Sequence, residues 1–79
     1  MSTYEKIRSI IANHLGVDET EISLESHLQS DLNADPLGLA DLVVAIEAEF
    51  KISIPQEENL KFSTVGDITT FVSDQIGEV

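Results

Sequence analysis

Apolar residues recur at helical intervals in three stretches of the chain, and the pattern changes character between them. Tyr4, Ile7, Ile11, His14 and Leu15, with Ile10 alongside, fall mostly three or four residues apart and so share one face of a helix. Ser2 and Glu5 stand ahead of this run in capping-box spacing, and Gly16 suits the left-handed position just past a helix end. A first helix is therefore expected from Thr3 to Leu15. From Val17 to Ala34 no period is sustained. Ile22, Leu24, Leu28 and Leu32 are spaced among Asp18, Glu19, Glu21 and Glu25, which predicts a loop pinned across the core, with a short helical turn near Ser26 to Leu28.

Asp35-Pro36 is a strong helix start. Aspartate is a good N-cap, and proline in the first helical position lacks only an N–H that would have no intrahelical partner. Leu39, Leu42, Val43, Ile46 and Phe50 then mark one buried stripe. The opposite side carries Leu37, Ala40, Asp41, Val44, Glu47 and Ala48, less polar than a face turned only to water. In a chain this small, an apolar second face points to docking rather than to complete burial. Ile52 and Ile54 continue the core, Pro55 stops any helix running through it, and Gln56 to Lys61 allows one or two short helical turns with Leu60 facing inward. Thr64-Val65-Gly66-Asp67 reads as a last helix start, followed by Val65, Ile68, Phe71, Val72 and Ile76 to an end near Gly77. No alternating run demands a strand. The pattern predicts an all-α fold, a small four-helix bundle with a long first loop and a short third helix, formed as a single domain over residues 1–79.

Composition narrows the function. At 79 residues and 42% hydrophobic content the chain supports one small core. Without cysteine it has neither disulfides nor thiolate ligands. Its net charge of −11, from 15 acidic and 4 basic side chains, repels phosphate backbones and favours basic protein surfaces as partners. The same charge favours a monomer and lowers stability at low salt. No apolar run approaches the roughly 20 residues of a membrane span, and the N-terminus from Met1 lacks a signal pattern, so a cytoplasmic location is expected.

Candidate chemistry is thin. Asp31, Asn33 and Asp35 hold the first, third and fifth places of a calcium loop, but Pro36 stands where the loop needs glycine and Leu42 where it needs a bidentate glutamate. Weak cation binding to the general acidic surface is all that remains, and two unclustered histidines, His14 and His27, make no metal site. Glu47 and Glu49 lie on different sides of their helix, and no Gly-rich phosphate loop or supported nucleophile exists. No enzyme is expected. Leu39, Leu42, Val43, Ile46, Ile54, Phe62 and Ile68 would line a lipid cavity if the interior were hollow, although a packed core is the simpler expectation.

Two stretches, Leu32-Asn33-Ala34-Asp35-Pro36-Leu37 and Leu42-Val43-Val44-Ala45-Ile46-Glu47-Ala48-Glu49-Phe50, resemble the central region of bacterial acyl carrier proteins. Ile10-Ile11 through Leu15-Gly16-Val17, Ile52 to Glu58 and Thr64 to Asp67 are similar to the same family, so the resemblance spans nearly the whole chain. The family carries 4′-phosphopantetheine on a serine in an Asp-Ser-Leu motif at the start of the second helix. Here that motif reads Asp35-Pro36-Leu37, and proline offers no hydroxyl for attachment. The resemblance therefore implies a carrier-like module without the arm at position 36, acting as a non-covalent docking or regulatory partner of fatty-acid or polyketide enzymes. The cofactor is expected only if another serine, with Ser30 the nearest upstream, takes it. Gly38 and Ala48 stand where the family often has acids, leaving Asp35, Leu37, Ala40, Asp41, Val44 and Glu47 as the expected docking residues, facing basic or partly apolar surfaces.

Overall fold

The computed structural model describes residues 2–77; Met1, Glu78 and Val79, which the expected domain over 1–79 includes, lie outside the described residues. Four helices follow in order: α1 (Thr3–Leu15), α2 (Pro36–Phe50), α3 (Gln56–Asn59) and α4 (Val65–Ile76), with a single 3-10 turn at Glu19–Glu21 in the long first connection. Each long helix begins where its local chemistry says it should. Ser2 Oγ accepts the Glu5 N–H while the Glu5 carboxylate takes the Ser2 N–H, and Thr64 and Asp67 repeat that exchange at the start of α4. Gly16 and Gly77 close α1 and α4 in the left-handed conformation, whereas α2 ends on Lys51 at φ 56°.

The core is one cluster. Ile7 and Ile11 of α1, Leu42, Val43 and Ile46 of α2, and Val65, Ile68 and Val72 of α4 meet at its centre, with α1 packed against both α2 and α4. The expected stripe of α2 is thus the buried one, with Leu39 and Phe50 half-buried at its edges. Lys6 of α1 stands 5.8 Å from the centre of the Phe50 ring, a cation–π contact across the helix pair.

The first connection is a pinned loop, as the spacing of its apolar residues predicted. Ile22, Leu28 and Leu32 are buried, as is Ala34, but Leu24, expected among the pinning residues, is exposed. The Tyr4 hydroxyl donates to the Ile22 carbonyl at 3.2 Å, and Arg8 pairs with Glu19 at 3.3 Å. Its helical turn, however, is at Glu19–Glu21 and not near Ser26 to Leu28. Near Ser26 to Leu28 the chain forms hydrogen-bonded turns but no helix: the Ser26 N–H donates to Ser23 O and the Asp31 N–H to His27 O, while the Leu28 N–H donates to Ser63 O and the Val65 N–H to Ser26 O, so the segment also crosses the start of α4. Asp18 caps the 3-10 turn in its place, accepting from the Thr20 N–H.

Asp67 ties this crossing together, because its carboxylate accepts the Ser63 and Thr64 N–H groups at 2.9 and 3.1 Å. Those two hydrogen bonds, Ser63 first, hold its pKa below the ordinary aspartate value. A depressed folded-state pKa contributes stability in full above the unfolded aspartate range near about pH 4, and that contribution is lost as pH falls through the depressed value. Asp67→Asn is expected to flatten this part of the acid limb, measured as urea midpoints over a pH series. An acid limb identical to the parent would remove Asp67 from this role.

Candidate functional site

The start of α2 is built by two residues. Asp35 Oδ1 accepts the Gly38 N–H at 2.6 Å, and Pro36 occupies the first helical position without needing a donor. Gly38 suits this tight cap, since a Cβ there would lie 3.0 Å from the same carboxylate oxygen. The first turn, Asp35-Pro36-Leu37-Gly38-Leu39, contains no hydroxyl, thiol or amine side chain. Neither carboxylate of the calcium-like pattern stands free in the way a cation loop requires. Asp31 Oδ2 accepts the His27 N–H at 2.7 Å, Asp35 caps the helix, and no group of three or more His, Cys, Asp or Glu side chains among the described residues is arranged to hold a metal.

On the outward side of α2, opposite the buried stripe, Leu37, Ala40, Asp41, Val44 and Ala48 are all exposed. Leu37 is 73% and Val44 63% accessible, large values for apolar side chains on a helix. Of the six residues singled out from the sequence, Asp35, Leu37, Ala40, Asp41 and Val44 lie on the surface near this row. Glu47 differs. It is half-buried at the side of the helix, and its Oε2 accepts the Ile54 N–H at 2.6 Å, fastening the segment that leads into α3. Its nearer task is structural, which a charge on a helix face does not reveal.

A second feature escapes the sequence pattern. Between the first turns of α2 and the short α3 lies an open cleft of about 360 Å³. Leu39, Val43 and Phe62 supply its apolar lining, Gln29, Gln56 and Asn59 its polar groups, and Pro36, Ala40 and Leu60 also face it. Leu60 does not point inward as its position suggested; it is 83% exposed. A four-residue α3 is too short to lay a continuous apolar face on the core, so the residue after it is left outside. Of the residues that would line an interior lipid cavity, Leu42, Ile46 and Ile68 are completely buried in the packed core, while Leu39, Val43 and Phe62 reach the cleft. A more polar hollow adjoins it, lined by His27, Ser30 and Ser63.

Residues 5–72 match the family model described as the phosphopantetheine attachment site. An acyl carrier protein of Clostridium acetobutylicum is 46% identical over 69 residues, spanning 87% of this chain and 90% of that protein. Among solved structures, one described as an acyl carrier protein of Mycobacterium tuberculosis superposes with a TM-score of 0.89 at 32% identity, over 94% of this chain and 99% of that one. The acyl carrier protein of Enterococcus faecalis superposes with a TM-score of 0.78 at 27% identity, over 94% of this chain and 98% of its own. Matched by sequence and by shape along almost its whole length, the chain belongs to the acyl carrier protein family, whose members are carriers and not enzymes.

Proposed function

We propose that this chain is a carrier-frame docking module, one that engages carrier-dependent enzymes of fatty-acid or polyketide synthesis without an arm of its own at the start of α2. The observation that carries the reading is Pro36. Asp35-Pro36-Leu37 reads like the family's Asp-Ser-Leu motif with proline in the serine's position, which supports the reading because a phosphodiester to the arm needs a hydroxyl that proline lacks. The first turn of α2 therefore does not fit 4′-phosphopantetheine as a covalent group. What persists around it is a surface suited to protein contact: exposed Leu37, Ala40 and Val44, with Asp35 and Asp41 beside them. In such an arrangement the apolar residues hold the complex, and the acids set its association rate and salt dependence. Acting as one monomeric domain with its −11 charge, the module would favour partners with basic rims.

A second reading keeps the carrier role and moves the arm. It is favoured by Ser30, exposed in the turn that precedes α2 and lining the hollow beside the cleft. One experiment separates the two. Incubation with coenzyme A and a broad-specificity phosphopantetheinyl transferase is expected to leave the intact mass unchanged. A gain of one phosphopantetheine unit would overturn the docking reading, and peptide mapping would then locate the modified serine.

A further inference from the structure

The cleft and the outward row of α2 meet at Ala40, which lines the first and is exposed on the second. A protein seated on Leu37, Ala40 and Val44 therefore stands over the cleft mouth. Leu60 flanks that mouth from the α3 side, exposed without any packing role to account for it. We propose that the cleft receives one bulky apolar side chain, presented by a partner protein on a basic-rimmed surface. This rests on the docking reading above and adds to it the chemistry of the partner's anchor.

Charge decides between the possible occupants. The chain has 15 acidic side chains, yet the cleft lining contains no ionisable group, while exposed Asp35, Asp41 and Glu57 stand beside lining residues in sequence and Lys61, the one cation so placed, is paired with Glu58 at 3.2 Å. A neutral hollow flanked by carboxylates is complementary to an apolar knob flanked by lysine and arginine. A fatty carboxylate or phosphate head would find no counter-charge in that lining. A second copy of the chain would bring another −11 against the same acids. Size agrees: about 360 Å³ is near the lower bound of small-molecule sites and suits one large side chain closed over by surrounding contacts. Interfaces concentrate their energy in such anchors, a buried aromatic within a ring of weaker contacts.

The test uses a short amphipathic helical peptide carrying a single tryptophan ringed by lysine and arginine, with a tryptophan-to-alanine peptide as control. Binding is followed by amide chemical-shift mapping and titration. Shifts are expected at Leu39, Val43, Leu60 and Phe62, and the alanine peptide is expected to bind about tenfold more weakly. Ala40→Trp, which fills the cleft from an exposed position, should bring the same loss. Leu60→Ala, also at an exposed position, repeats the measurement if the tryptophan variant does not fold. Equal binding of the two peptides, both abolished by Leu37→Asp, would overturn the anchored cleft and leave the docking reading standing. Binding indifferent to Leu37→Asp as well would overturn both. A lipid retained in native mass spectra, or self-association in sedimentation that Ala40→Trp abolishes, would assign the cleft to another occupant and sink the proposal.

Discussion

Leu42→Ala is expected to destabilise the fold by roughly 2–5 kcal/mol, the range for a buried leucine whose removal leaves a cavity. Leu42 has no accessible surface and belongs to the central cluster where α1, α2 and α4 meet. It cannot be rescued by a neighbour sliding in, because α1 packs against both other long helices and a shift at one contact disturbs the other. Small domains have total stabilities on the order of 5 kcal/mol, so the loss is a large fraction of what holds this one together. The urea midpoint should fall with the slope unchanged, as a change in stability alone requires. Val44→Ala, two residues along on the exposed side, is the control and is expected within about 0.5 kcal/mol of the parent. A near-neutral Leu42→Ala would contradict the assigned face of α2.

Pro36→Ser is the second large effect, and it is chemical. The position is exposed, its backbone is already helical, and Asp35 continues to cap the Gly38 N–H without help from the proline ring. The cost is the loss of a restricted unfolded chain, about 0.4–1 kcal/mol. In exchange the variant places a hydroxyl in the first turn of α2, where backbone N–H groups and the helix dipole favour an attached phosphate. The variant is expected to gain one phosphopantetheine unit under conditions that leave the parent unmodified, read as intact mass. If it folds and stays unmodified, transferase recognition has been lost from the surrounding surface too, and Gly38 and Ala48 become the positions to restore. Either result tests the docking reading at position 36, and neither depends on the cleft.

The helix limits were legible in the sequence because their determinants are local. The capping contacts at Ser2, Asp35 and Thr64 each reach three residues along the chain, and the glycines after α1 and α4 act on their own backbone. The buried stripe of α2 was legible for the same reason, since one period orders all its residues on one face. Pro36 was equally plain, because the absence of a hydroxyl is a property of the residue itself. The outward row followed by subtraction, as the apolar positions that the buried stripe does not use.

Tertiary structure decided what depends on distant atoms. Ser26 and Leu28 were tied to the start of α4 by hydrogen bonds with Val65 and Ser63, which no local pattern reveals, whereas the turn at Glu19–Glu21 rests on a local Asp18–Glu21 capping box that Arg8 of α1 supplements. Glu47 is a fastening for Ile54 seven residues later, although its sequence position marks only a charge on a helix. Leu60 is apolar and follows a helix, yet α3 is too short to turn it inward, and its exposure opens one side of the cleft. The cleft is a space between segments, and a periodic pattern describes only the segments. The sequence by itself determined the frame and the proline in the first turn of α2, because short-range contacts and residue chemistry suffice for both. Packing decided which face stays open and what can enter it, because that depends on where the elements stop relative to one another.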